Sequence, residues 1–142
     1  MLSQTEIILE GLNKLEQDSE YFNYVLRYSI LTFNAEVENK IKDIIKENVN
    51  KIVNKLGIYK FCKLKLKNLS FSDIRYLFEQ LGIKMNDLNA SDIQLYSTII
   101  SDRDKIAHDP NAIISTSKND LKNVIKIAEK IITEFKEGIN KL

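Results

Sequence analysis

The 142-residue chain has very few of the residues that build metal sites, disulfides and tight turns. A single cysteine excludes an intrachain disulfide and a cysteine-based zinc site, and a single histidine excludes a multi-histidine metal cluster within one chain. Four glycines and one proline are too few for the many turns of a β-sandwich or a barrel. We therefore expect a fold with few tight turns, no metal site and no cofactor.

Signals for export and for membrane insertion are also missing. No stretch approaches the ~20 apolar residues of a membrane-spanning helix, and the first six residues lack the basic and apolar regions of a signal peptide. We expect a cytoplasmic protein that does not contact a membrane, and the lone Cys62 fits that compartment.

The charges nearly cancel, with 21 basic and 20 acidic residues and a net charge of +1. This balance excludes capture of nucleic acid or membrane by bulk charge. The distribution is uneven, however, because no acidic residue lies between Glu47 and Asp73, whereas six lysines in residues 51–67 give a local charge of +6. The segment is either a solvated connector or a surface that contacts phosphates. The RNA-contact candidates are Lys60, Lys63, Lys65, Lys67 and, further along the chain, Lys105.

Apolar residues recur at steps of three and four along most of the chain, which is the spacing of amphipathic helices. The pattern runs from Ile8 to Leu56, too far for one straight helix in a small domain. A break is expected near Asp18-Ser19 or near residues 32–34, and Gly57 is a natural stop. The chain is therefore predicted to be all-α, one domain over residues 1–142, folded as an antiparallel bundle of about four to five helices.

Cap residues predict the later helices. Residues 58–69 alternate lysine with apolar residues and are interpreted as an irregular connector. A short helix then begins at Ser70 or Ser72 and stops at Gly82. The next begins around Asn89 or residue 91 and ends near residue 109, because the residue before a proline disfavours helical geometry. The last helix follows the Ser-Thr-Ser cluster at 115–117.

One segment gathers rare residues. Residues 101–110 (SDRDKIAHDP) hold one of only three arginines, the only histidine and the only proline. Arg103 offers a planar fork that can grip a phosphate, and a histidine exchanges protons near neutral pH. The simpler interpretation is that Arg103 pairs with Asp102, Asp104 or a neighbouring carboxylate, while His108 caps a helix end.

The same segment resembles the signature of the HEPN family (higher eukaryotes and prokaryotes nucleotide-binding domains). That signature is R-x4-6-H, usually with a polar residue after the arginine. Arg103, Asp104 and His108 take these places, although asparagine is commoner than aspartate at the second. Residues 38–42 (ENKIK) resemble the Glu-x-x-Ile-Lys of bacterial members. The similarity covers about residues 20–140 and lies in the pattern and order of elements.

The resemblance implies a helical domain that dimerises and brings two R-x4-6-H motifs to one cleft. It also implies a metal-independent endoribonuclease of toxin–antitoxin, phage-defence or RNA-processing systems. His108 would be the general acid or base and Arg103 would bind the scissile phosphate, while the RNA 2′-OH attacks to leave a 2′,3′-cyclic phosphate. Glu38 and Asp104 would support the site, Glu38 by orienting Arg103. A dimer would supply two histidines, one acid and one base.

The partners expected from this resemblance are an RNA substrate and a second copy of the chain, with an antitoxin protein as a further candidate. In some toxin members a tyrosine two positions after the histidine is modified by the antitoxin. Pro110 occupies that position here, which argues against an adenylylating antitoxin. Other members lack nuclease activity, so the alternative hypothesis is a non-catalytic helical module that contacts protein or RNA through its apolar stripe and residues 51–67.

Overall fold

Seven α-helices form the regular structure of residues 1–86 and 88–142, which are the residues that a computed structural model describes. No strand occurs in these two ranges, so the all-α prediction is confirmed. The helices outnumber the four or five expected because two short ones follow breaks at Asn48 and Gly57. Their bounds are α1 Ser3–Asn13, α2 Glu20–Glu47, α3 Val49–Leu56, α4 Ile58–Cys62, α5 Phe71–Gln80, α6 Ala90–His108 and α7 Lys118–Asn140.

The first long apolar pattern breaks before α2. Ser19 is the N-cap, and its hydroxyl accepts a hydrogen bond from the Tyr21 backbone N–H at 3.2 Å. The other candidate break lies inside α2, where Asn34 donates to the Ile30 carbonyl at 2.9 Å and leaves the helix continuous. Asn48, with φ −127° and ψ 26°, then separates α2 from α3.

The expectation of an irregular connector over residues 58–69 is wrong for its first part. Gly57 ends α3 with a positive φ of 83°, which glycine tolerates. Its carbonyl accepts from the Phe61 N–H at 3.0 Å and so starts the single turn of α4. Residues 63–69 have no helical geometry.

The three later helix starts are set by side-chain caps. Ser70, Asn89 and Ser117 each accept from the backbone N–H three residues on, and an aspartate at that position bonds back to the cap residue. Helix α6 ends at His108 because Asp109, which precedes the proline, is extended with φ −147° and ψ 108°.

The core lies between the two longest helices and α6. Helix α2 packs against α1, α6 and α7. The Tyr96 ring is buried on α6 and lies edge-on to Phe33 of α2, with ring centroids 6.0 Å apart, and to Phe71 of α5, at 5.9 Å. These contacts fix the first half of α6 against α2 and α5, and the turn that follows carries Arg103. No helix in the described ranges is both long enough and apolar enough to cross a bilayer.

Candidate active site

Arg103 on α6 lies between two carboxylates. Its Nε and Nη2 donate to Asp104 Oδ1 at 3.0 and 2.9 Å, and its Nη1 donates to Glu38 Oε1 of α2 at 3.4 Å. The Arg103 side chain is only 12% exposed, the Glu38 side chain 16% and the Asp104 side chain 60%. The fork is thus held mainly inside the protein, with one of its partners on the surface.

This arrangement leaves part of the guanidinium unused. Of its five N–H groups, three donate to Asp104 and Glu38. One N–H on each terminal nitrogen of Arg103 has no partner among the described residues, and such groups can donate to phosphate oxygens. The more exposed Asp104 is also the partner that an incoming anion can displace at lower cost, since exposed ion pairs are weak.

Glu38 is fixed by more than the arginine. Its Oε1 also accepts from the Leu69 backbone N–H at 2.9 Å, so one oxygen joins α2, the segment before α5, and α6. Tyr96 is buried nearby; burial raises the pKa of its phenol, the Glu38 charge raises it further, and the Arg103 charge opposes both. The phenol therefore stays neutral, and the cation that pairs with Glu38 is Arg103.

His108 does not join this cluster within one chain. It is the last residue of α6 and is exposed, and its side chain has no hydrogen bond or ion pair with any described residue. Five helical positions separate it from Arg103, which at 100° per residue places the two side chains about 140° apart and about 7.5 Å along the axis. The two side chains point to different faces of the same helix end.

A further residue of this segment has a structural role that the sequence reasoning missed. Asp102 is fully buried, and its Oδ2 accepts from the backbone N–H groups of Ser115 and Thr116, at 3.0 and 2.7 Å, and from the Thr116 hydroxyl at 2.5 Å. It thereby ties the end of α6 to the start of α7. The sequence offered only one signal for this role: a cluster of hydroxyl residues begins at Ser115, 13 positions after Asp102. Asp102 is not the partner of Arg103.

The lysine candidates lie apart from this cluster and fall into two groups. Lys60, Lys63 and Lys65 line a groove of about 370 Å³ against α5. Lys67 is exposed and does not line that groove, and Lys105 is on α6 with its Nζ 3.7 Å from Asp102 Oδ1.

The Lys65 ammonium makes a 2.8 Å bond to the Asp73 carboxylate. This bond and the Ser70 backbone N–H hold the pKa of Asp73 below its usual range. Asp73 is therefore an ionised partner that neutralises Lys65 in the groove.

Metal ligands do not cluster in the described residues, where no group of three or more His, Cys, Asp or Glu could hold an ion. Comparison of the chain with protein-family models, with curated proteins and with solved structures found no match. The roles of Arg103, His108, Glu38 and Asp104 therefore stay predictions that depend on their chemistry and on the resemblance of the motif.

Proposed function

We propose that the protein is a HEPN-type endoribonuclease that cleaves RNA without a metal, at a site composed of residues from two copies of the chain. The observation that carries the proposal is the restrained Arg103 fork one turn before an exposed His108. Arg103 is oriented by Glu38 from a different helix and keeps two unused N–H groups. A fixed cation and a free acid–base group are what phosphodiester chemistry requires, and the two can reach one phosphate from different copies of the chain.

The proposed reaction is an internal transfer. One His108 removes the proton of a ribose 2′-OH, whose oxygen then attacks the adjacent phosphorus. The bond from phosphorus to the 5′-oxygen of the next nucleotide breaks, and the second His108 protonates that oxygen. The products are a 2′,3′-cyclic phosphate and a 5′-hydroxyl. Arg103 stabilises the negative charge that grows on the non-bridging phosphate oxygens.

Dimerisation is part of the proposal because of the helix geometry. Arg103 and His108 of one chain diverge by about 140° around α6, so a single motif does not converge on one phosphate. A second copy related by a two-fold axis would bring its own motif to the same cleft. We further propose the antiparallel bundle of the family, a cytoplasmic location, and action in toxin–antitoxin or phage-defence systems with a possible antitoxin partner.

The deciding experiment is cleavage of single-stranded RNA in EDTA. The wild-type chain is expected to release a 2′,3′-cyclic phosphate, and His108→Ala to lose at least a hundredfold in rate. Arg103→Lys keeps the charge but not the planar fork, so its cleavage rate should lie between those of Arg103→Ala and wild type. Circular dichroism of each variant controls for folding. Cleavage that persists undiminished in both alanine variants would refute this site.

A non-catalytic interaction module is the alternative, and one observation favours it. Tyr21, Tyr24 and Tyr28 lie at helical spacing on α2 and are 71%, 56% and 61% exposed. Exposed aromatic side chains in a row are typical of surfaces that bind partners. Under this alternative Arg103 only joins α6 to α2, and no RNA is cleaved by any preparation of the wild-type chain.

A further inference from the structure

The groove against α5 has one wall made by a single helix face. Asp73, Tyr76, Leu77 and Gln80 line it from α5 and recur at steps of three and four, as one face of a helix requires. The groove holds about 370 Å³. That volume is within the range of sites that take one small molecule or one nucleotide, about 300–1,000 Å³.

The opposite wall comes from the lysine-rich segment. Leu56, Lys60, Lys63 and Lys65 line it. Lys65 is at the N-terminal end of α5, where it pairs with Asp73. The end of α3 is at the other end of α5, because a Cβ added at Gly82 would lie 3.6 Å from the Lys55 Nζ. The wall that contains these lysines therefore runs along the length of α5.

The charges in the groove are not balanced. Lys65 and Asp73 neutralise each other. Lys60 has no ion-pair partner in the described parts of the chain, and the Lys63 ammonium donates to the Tyr59 hydroxyl and lies 4.1 Å from the centre of the Tyr59 ring. Two positive charges thus remain without a carboxylate, which fits an anionic ligand.

Both walls also carry apolar and aromatic side chains. Leu77 is buried and Leu56 half-buried, and the Tyr76 ring is 61% exposed beside them. An inorganic phosphate would make no use of these groups. A ligand with a planar ring next to a phosphate would use both the exposed ring and the ammonium groups of Lys60 and Lys63, neither of which pairs with a described carboxylate.

We propose that this groove holds one unpaired nucleotide of a single-stranded RNA, with its base against Tyr76 and its phosphates at Lys60 and Lys63. Duplex RNA does not fit, because its bases are already stacked and paired. The inference rests on the proposed function only in taking RNA as the ligand. The groove lies outside the Arg103 cluster, so it selects and positions the strand rather than cleaving it.

The test measures binding by the full chain carrying His108→Ala, which silences the proposed cleavage. The probe is a fluorescein-labelled single-stranded RNA octamer, followed by fluorescence anisotropy. Tyr76→Leu is expected to weaken binding about tenfold, since one base–aromatic stack contributes on the order of 1–3 kcal/mol. Tyr76→Phe should bind like the parent. Ile7→Ala removes an equally exposed apolar side chain (61%) from α1, and as the matched control it should leave the affinity unchanged.

Salt dependence distinguishes a phosphate contact from a structural effect. Lys60→Gln is expected to lower the slope of log affinity against log salt by about 0.7, the value for one phosphate of a single strand. Tyr76→Leu should leave that slope unchanged because stacking releases no counterions. Lys14→Gln, an exposed lysine at the C-cap that follows α1, is the control with no expected effect on the slope.

Two results would overturn the inference: Tyr76→Leu and Lys60→Gln that bind like their controls, or a duplex of the same sequence that binds as tightly as the single strand. Wild-type cleavage with unaffected groove variants refutes only the groove. Groove-dependent binding without any wild-type cleavage refutes only the nuclease.

Discussion

Two glycines in helices illustrate how one methyl group can have opposite effects at the residue scale. Alanine normally favours a helix over glycine by about 0.5–1 kcal/mol. At Gly11 of α1 an added Cβ meets nothing within 4 Å, whereas at Gly138 of α7 it would lie less than 3.0 Å from three side-chain atoms of Ile83. We expect Gly11→Ala to raise the free energy of unfolding and Gly138→Ala to lower it by up to about 2 kcal/mol, because overpacking costs about 1–3 kcal/mol and the helix gain offsets only part of that.

Urea denaturation of the two single variants beside the parent checks this prediction. The m-value should stay constant, so that a change in midpoint reports stability. An increase for both variants would mean that Ile83 moves away at no cost, and that α7 does not pack tightly against the turn after α5.

Glu129 on α7 makes stability depend on pH. Partial burial raises the pKa of its carboxyl above the usual value, and the charge of Glu6 on α1, with a hydrogen bond between the two side chains, raises it further. Since the folded pKa is above the unfolded one, the fold favours protonated Glu129. That favourable contribution is complete below the ordinary pKa near 4.5 and is lost as pH rises through the raised value.

Glu129→Gln should therefore raise the melting temperature at pH 7 and leave it nearly unchanged at pH 4, because the amide donates to Glu6 at every pH. Thermal melts across pH 4–8 would measure the difference. Glu10→Gln, an exposed acid on α1, is the control and should not change the pH profile. A parallel profile for parent and Glu129→Gln would contradict the assignment.

At the scale of elements, the connection between α6 and α7 depends on one buried carboxylate. Asp102 Oδ2 accepts two backbone N–H groups and the Thr116 hydroxyl. Asp102→Ala would leave these donors buried without an acceptor, at a cost of about 2–3 kcal/mol in the free energy of unfolding. Asp104→Ala, two residues along the same helix and exposed, should cost less than about 1 kcal/mol. Chemical denaturation of both variants tests the contrast, and equal losses would contradict it.

The sequence predicted helix starts well and short helices poorly, for a physical reason. Capping side chains act within three residues, so the starts at Ser70, Asn89 and Ser117 were found to within two residues, with Ser72 and residue 91 as the alternatives for the first two. The single turn of α4 is too short to be stable alone and depends on the packing of Phe61 against the core, which no local pattern reveals. The break between α2 and α3 at Asn48 was not predicted from the sequence either.

The candidate site shows the same limit. The motif from Arg103 to His108 is local and could be found by its rare residues. The contact between Arg103 and Glu38 joins positions 65 residues apart, and only the resemblance of the motif made it an expectation. The groove was visible as a charge run, but Tyr76 was not, since helix packing alone brings α5 beside residues 56–65.

For the whole molecule, the net charge of +1 gives no general attraction for RNA, so binding must come from local features. The Arg103 cluster and the α5 groove are the two features proposed for this role in one chain, and a two-fold dimer would present four. Arg103 and His108 diverge around α6, so the number of chains that build one cleavage site is the property on which the proposed mechanism depends.

Mixing experiments measure that number directly. If one site needs His108 from both chains as acid and base, a dimer of wild type and His108→Ala is inactive, and random mixing in equal amounts leaves about a quarter of the activity at constant total protein. If each chain works with its own histidine, half remains. Co-expressing the two chains with different tags and purifying the mixed dimer makes the measurement independent of subunit exchange. We expect the mixed dimer to be inactive yet to bind RNA like the parent; a mixed dimer with half the parent rate would contradict the shared site and leave each chain as an independent nuclease.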